Sequence, residues 1–172
     1  MIFVYLGLLS KGRCINEIID AFSKPNLNSH VVFIGFGDLA NYINEIAVKE
    51  RKIHLHPSVP HEEVVPLVKN ASIGLCLIEN VSLSDYYCLP NKLFEYSFAG
   101  LPVLASNFPD IKNIVEMYKL GIICELNSNS INAAVREIEL RSNLSINSDL
   151  FQLSWQYQTQ KLLNIYSDLM FI

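Results

Sequence analysis

The sequence predicts an α/β fold: a doubly wound parallel sheet of about six strands flanked by helices. Three observations predict it. Short continuous apolar runs, the form of strands buried on both faces, recur along all but the last part of the chain. Each is followed by a stretch with apolar residues at three-to-four-residue intervals, the signature of a helix with one buried face. The alternation repeats about six times, the pattern of strand–helix–strand crossovers. A length of 172 residues fits one domain, 1–172, and 51% apolar against 17% charged residues makes it globular.

The elements follow in order. Ile2–Leu6 is a buried strand, and Gly7–Gly12 is a loop feeding a helix from about Arg13 or Cys14. Ile15, Ile18, Ile19 and Phe22 form that helix's buried stripe, and Pro25 ends it. Such a loop aims backbone N–H groups at an anion; Lys11 adds a mobile positive charge, and Gly12 allows a phosphate close to the backbone. The alternative is an ordinary strand–helix connection. His30–Gly35 is the next strand, and a helix opens at Gly37-Asp38-Leu39-Ala40 and runs to about Glu50.

Gly35-x-Gly37-x-x-Ala40 fits a relaxed dinucleotide fingerprint. That fingerprint needs an acidic residue at the end of the next strand to hold a ribose. The next strand, Ile53–His56, ends in His56-Pro57 instead, so a nicotinamide cofactor is disfavoured. His54 and His56 are expected to diverge to opposite faces, with one buried, hydrogen-bonded ring rather than a metal site. Val64, Leu67 and Val68 mark a further helix, Ala71–Ile78 another strand, and Asn80–Leu89 a polar loop.

Leu89–Leu104 reads as helix, glycine stop and buried strand. Pro90 suits a first helical turn. Leu93, Phe94, Phe98 and Leu101 give the apolar face, Gly100 ends the helix and Val103–Ala105 is a central strand. Lys92 and Glu95 lie three apart on the first turn. A lysine there opposes the macrodipole. Either the two form a solvated ion pair, or they offer a cation and exposed N–H groups to a phosphate and a carboxylate to hydroxyls. Asn107–Tyr118 is a loop and helix, Gly121–Cys124 the last strand, and Asn127–Asn129 caps a helix to about Leu140. Ser142–Asp149 is a polar connector before a closing helix at about 148–169. Both Lys11 and the Lys92–Glu95 pair follow strand carboxyl ends, where ligands of such sheets bind.

Composition narrows the function. The formal charge of −4, with no basic stripe, argues against nucleic acid. Cys14, Cys76, Cys88 and Cys124 are scattered and read as buried apolar residues in a reducing, cytoplasmic compartment, without structural zinc. Met1–Leu9 is apolar but too short to span a bilayer.

The segment Pro90-x-Lys92-x-x-Glu95-Tyr96-x-x-Ala99-Gly100-x-Pro102-Val103 resembles the donor-site signature of GT-B fold glycosyltransferases, closest to family 4. Val4–Gly7 with Lys11-Gly12, and Val31–Gly37, resemble the first two strands and turns of the Rossmann-like C-terminal half. The resemblance implies a half that binds a nucleotide-diphosphate sugar, UDP- or GDP-linked. Lys11 and Lys92 would hold the diphosphate and Glu95 the ribose, with Gly7, Gly12, Arg13, Gly35, Gly37, Pro90 and Asn91 around the donor. It implies a retaining hexosyltransferase with no resident metal or cofactor. An N-terminal domain of the same enzyme would supply the site for a saccharide or lipid-linked acceptor, leaving 1–172 alone inactive. The subgroup it resembles builds bacterial surface polysaccharides, at the inner face of the membrane with peripheral association. Two positions depart from the pattern: Leu8 stands where the family usually has arginine, and Tyr87 where many members have a first glutamate. A nucleotide-sugar epimerase of related fold and a noncatalytic interaction domain are the rival readings.

Overall fold

A computed structural model describes residues 1–141, 144–146 and 149–170. Six strands form one parallel sheet: β1 (Ile2–Leu8), β2 (His30–Phe36), β3 (Ile53–Pro57), β4 (Ile73–Cys76), β5 (Val103–Ser106) and β6 (Gly121–Cys124). Their order is β3-β2-β1-β4-β5-β6, so the chain winds outward from β1 to one edge and then returns to build the other. The expected doubly wound sheet is therefore present.

Helices cover both faces. Strand alternation sends Phe3, Tyr5, Val31, Phe33, Ile73 and Leu75 into one core layer, beneath α1 (Ile15–Ser23), α2 (Ala40–Ala47) and α7 (Ser128–Leu140). Val4, Leu6, Ile34, Cys76, Val103 and Ala105 enter the other, beneath α3 (His61–Val68), α5 (Asn91–Phe98) and α6 (Pro109–Met117). Asn127 caps α7 as expected, its side-chain oxygen accepting the Ser130 N–H.

The point that matters for function is the reversal between β1 and β4. β1 pairs with β2 along all seven residues. With β4 it pairs only at Phe3–Ile73 and Val4–Gly74. Beyond Val4 the two strands part, and Tyr96 of α5 fills the gap. Its hydroxyl accepts the Leu6 N–H at 2.7 Å and donates to the Val4 carbonyl at 3.2 Å. The ladder bonds that β4 does not supply are thus supplied by a side chain. Gly74 makes room for it, because a Cβ at that position would run into the Tyr96 ring.

Several expectations are corrected. β1 extends two residues further, to Leu8; α1 begins at Ile15 because Cys14 adopts a left-handed conformation (φ 60°). The buried face of α5 is Leu93, Tyr96 and Ser97, whereas Phe98 is exposed: the helix turns its tyrosine inward to serve the gap in the sheet. The loop at Asn80–Leu89 contains a short helix, α4 (Leu83–Tyr86), capped by Ser82. Residues two apart on a strand share a face, so His54 and His56 do not diverge. Both are exposed; His54 Nε2 lies 2.9 Å from His30 Nδ1, and partial loss of hydration on the ring, then the neighbouring His30, push its pKa down. The closing helix α8 spans Trp155–Met170, preceded by a 3-10 turn at Phe151–Leu153. Of the expected connector, Ser142, Asn143, Asn147 and Ser148 lie outside the described residues, as does the residue 148 start of the expected final helix. Among the described residues no helix is long and apolar enough to cross a membrane.

Candidate functional site

At the carboxyl ends of β1 and β2 lies a cavity of about 380 Å³. It sits beside the reversal of strand order, where open α/β sheets bind ligands. Its floor is Leu6, Gly7 and Leu8 of β1 with Ile34, Gly35 and Phe36 of β2. One wall is Ser58, Val59, His61 and Val64, leading from β3 into α3. The other is Pro90, Asn91, Lys92 and Glu95, the start of α5.

Pro90 is the N-cap of α5 rather than a residue of its first turn, with extended backbone (φ −74°, ψ 144°). No side chain caps the helix, so its first N–H groups, those of Asn91 and Lys92, stand at the cavity wall. Lys92 then reaches inward. Its Nζ lies 3.8 Å from the centroid of the Tyr5 ring. Tyr5 belongs to the opposite core layer, so the ammonium enters where β1 and β4 have separated. The nitrogen is buried and has no hydrogen-bond partner, the one such side-chain atom among the described residues. Loss of hydration brings its pKa down to about 8; Cys76 and Glu95 oppose that shift, and Arg13 adds to it. The ring face of Tyr5 offers partial compensation through its quadrupole. Burial pushes the Tyr5 phenol up, so the ring stays neutral, and its hydroxyl donates to the Leu8 carbonyl at 3.1 Å.

Lys92 and Glu95 are not the solvated ion pair that their spacing allows. The ion pairs among the described residues are Arg13–Asp85, Lys112–Glu116 and Arg141–Glu137. Glu95, half-buried, lines the same wall one turn beyond the helix start. Lys92 and Glu95 line one cavity beside the uncapped start of α5. With the lysine side chain turned from the Tyr5 ring toward the cavity, its ammonium, the helix N–H groups and the carboxylate can hold an anion next to hydroxyls.

The structure divides the predicted residues into two groups. Gly7, Gly35, Pro90, Asn91, Lys92 and Glu95 meet at the cavity. Lys11, Gly12, Arg13 and Gly37 do not line it. Lys11 is exposed, and Arg13 lies 3.8 Å from Asp85. Gly12 has φ +81°, and a Cβ there would stand 3.1 Å from Val81, so the loop itself accounts for the glycine. A Cβ at Gly37 would run into the Leu9 carbonyl.

Glu79, which sequence spacing gave no role, proves to be structural. Its carboxylate accepts the Cys14 N–H at 2.8 Å, and its own N–H donates to the Gly12 carbonyl at 3.2 Å. The start of α1 thus already carries an anion from the protein itself. Leu8 and Phe36 were missed as cavity residues, because a strand's apolar run does not mark which members end at a rim. Among the described residues no group of three or more His, Cys, Asp or Glu could hold a metal.

The glycosyl transferases group 1 model matches residues 2–139. Similar solved structures include AviGT4, a glycosyltransferase involved in avilamycin A biosynthesis, 17% identical with a TM-score of 0.64 over 86% of this chain and 44% of that one. HepE of Anabaena in complex with UDP-glucose is 14% identical, with a TM-score of 0.66 over 82% of this chain and 39% of that one. WaaG, a glycosyltransferase involved in lipopolysaccharide biosynthesis, is 16% identical, with a TM-score of 0.59 over 81% and 39%. At these identities the likeness shows the fold, and the chain spans less than half the length of each. No curated protein matches the chain.

Proposed function

Because the chain belongs to the glycosyl transferases group 1, we propose that its cavity binds the nucleoside-diphosphate sugar from which a glycosyl group is transferred. One observation carries the proposal: Lys92 lines the cavity beside the reversal of the sheet while its buried ammonium has no hydrogen-bond partner. A buried charge without a partner is unfavourable for folding, and a diphosphate would give it one. That HepE is known with UDP-glucose bound supports the reading.

In the proposal Lys92 and the Asn91 and Lys92 N–H groups hold the diphosphate, and Glu95 accepts hydrogen bonds from the ribose hydroxyls. Transfer breaks the bond between the sugar's anomeric carbon and the diphosphate oxygen, whose electron pair stays with the diphosphate. The anomeric carbon gains a bond to the acceptor hydroxyl, which gives up its proton. The protein's part here is positioning and stabilisation of the charge on the leaving diphosphate. Lys11, exposed on the loop before α1, keeps a role only as a mobile counter-charge. Gly12, Arg13 and Gly37 are left to the fold.

The finer points belong to the same proposal. The transfer retains anomeric configuration, the acceptor is a saccharide or lipid-linked, and its site comes from an N-terminal domain outside these residues. No resident metal or cofactor is invoked. Work at a cytoplasmic membrane face in bacterial surface polysaccharide assembly fits the resemblance. Calorimetric titration with UDP, GDP and UDP-glucose tests the core of the reading. Binding that Lys92→Met removes supports it, and no binding at millimolar nucleotide favours a noncatalytic interaction domain.

A further inference from the structure

Phe36 is a cavity residue that the donor-site reading leaves unused. The residue is 65% exposed and lines the cavity, so a ligand lying on its ring would take that apolar surface out of water. Its backbone, by contrast, is firmly held. Gly35 and Gly37 on either side have φ of +155° and +145°. A Cβ on the first would run into the Gly7 carbonyl, and one on the second into the Leu9 carbonyl. The Phe36 carbonyl accepts the Leu9 N–H at 2.8 Å, and the Leu9 carbonyl accepts the Leu39 N–H at 2.9 Å. Two close backbone approaches and these hydrogen bonds tie the turn to the segment after β1. A flat ring is therefore presented from a fixed mount.

Its direction follows from the strand. Phe36 shares parity with Val32 and Ile34, so it emerges on the α3–α5 face, where it lines the cavity. Within the cavity the charges lie at one end, with Lys92 and Glu95 on α5. The β3 side, opposite, offers Val59 and Val64 beside the uncharged Ser58 and the His61 ring, and β2 stands between β1 and β3. A nucleoside diphosphate has the same polarity: charge at one end, ribose between, a flat aromatic base at the other. With its phosphates at Lys92 and its ribose at Glu95, the base falls on the Phe36 side.

We infer that Phe36 is the stacking platform for the donor's nucleobase, and so a specificity-determining residue of this site; the inference rests on the donor-site reading. Stacking on an aromatic ring accepts any base face, so it favours nucleotides over base-free phosphates more than one base over another.

The test compares UDP with inorganic pyrophosphate as a base-free probe, in the wild-type chain, Phe36→Ala and Phe36→Trp. Phe36→Ala is expected to weaken UDP about tenfold, equivalent to about 1.4 kcal/mol, and to leave pyrophosphate unchanged. Phe36→Trp is expected to retain UDP binding. Combined with Trp155→Phe, it leaves the introduced indole as the chain's only tryptophan, whose fluorescence should be quenched by UDP and not by pyrophosphate. Equal UDP affinity in wild type and Phe36→Ala would overturn the inference while leaving the donor site standing. Equal losses for UDP and pyrophosphate would make Phe36 a structural rim residue, also against it. No UDP binding to the wild-type chain would remove the donor-site reading and this inference with it.

Discussion

The ammonium nitrogen of Lys92 stands 3.8 Å from the centre of the Tyr5 ring, buried and without a hydrogen-bond partner. The two residues come from opposite layers of the fold and meet because β1 and β4 separate after Val4. This contact links the topology of the sheet to the chemistry of the cavity.

It has a consequence for stability. The Lys92 pKa is brought down to about 8 in the folded chain, from an ordinary 10.5. Between those values the unfolded chain binds a proton that the folded one does not, so stability rises with pH across that window. Below about pH 8 the full penalty applies, on the order of 3 kcal/mol. Lys92→Met keeps the length of the side chain and removes the charge. It should stabilise the ligand-free chain at pH 7, with its advantage shrinking toward pH 10. Denaturant unfolding of both proteins at pH 7, 8, 9 and 10 measures this; an advantage independent of pH would contradict it.

Tyr96→Phe should cost about 1–3 kcal/mol, because it strands the buried Leu6 N–H and Val4 carbonyl. Chemical denaturation reads the loss directly. A change below about 0.5 kcal/mol, the size ordinary for surface positions, would show that water or strand repair replaces the hydroxyl.

How much of this was legible in the sequence depended on the kind of signal. Strand–helix alternation and the Gly100-Leu101-Pro102 stop announced the sheet and α5. Lys92 and Glu95 stood out because no packing reason explained a lysine at a helix start. The face of α5 was misread, since hydrophobic spacing favours Phe98 over Tyr96. Only the broken β1–β4 ladder explains why a tyrosine is buried there. The roles of Glu79 and Phe36 depend on contacts between segments distant in sequence, on which local patterning is silent.

Gly74→Ala should destabilise by about 1–3 kcal/mol through overpacking, since the new methyl would run into the Tyr96 ring. Its melting temperature should fall, and the crevice that admits Lys92 should be disturbed with it. A neutral Gly74→Ala would mean that Tyr96 can shift without loss.

Glu95→Ala should weaken UDP roughly 10- to 100-fold, the effect of deleting one or two charge-assisted hydrogen bonds. Glu95→Gln keeps one acceptor oxygen and should be milder. Uridine should lose affinity alongside UDP, because the contact is to ribose. Loss for UDP alone would move the carboxylate's role to the phosphates or the sugar.

The most direct test of the donor-site account is calorimetric titration of UDP and uridine into the wild-type chain and Lys92→Met at pH 7. The account predicts that the variant is folded and at least as stable, loses UDP affinity by about tenfold or more, and binds uridine as before. UDP affinity unchanged in a folded Lys92→Met would contradict it.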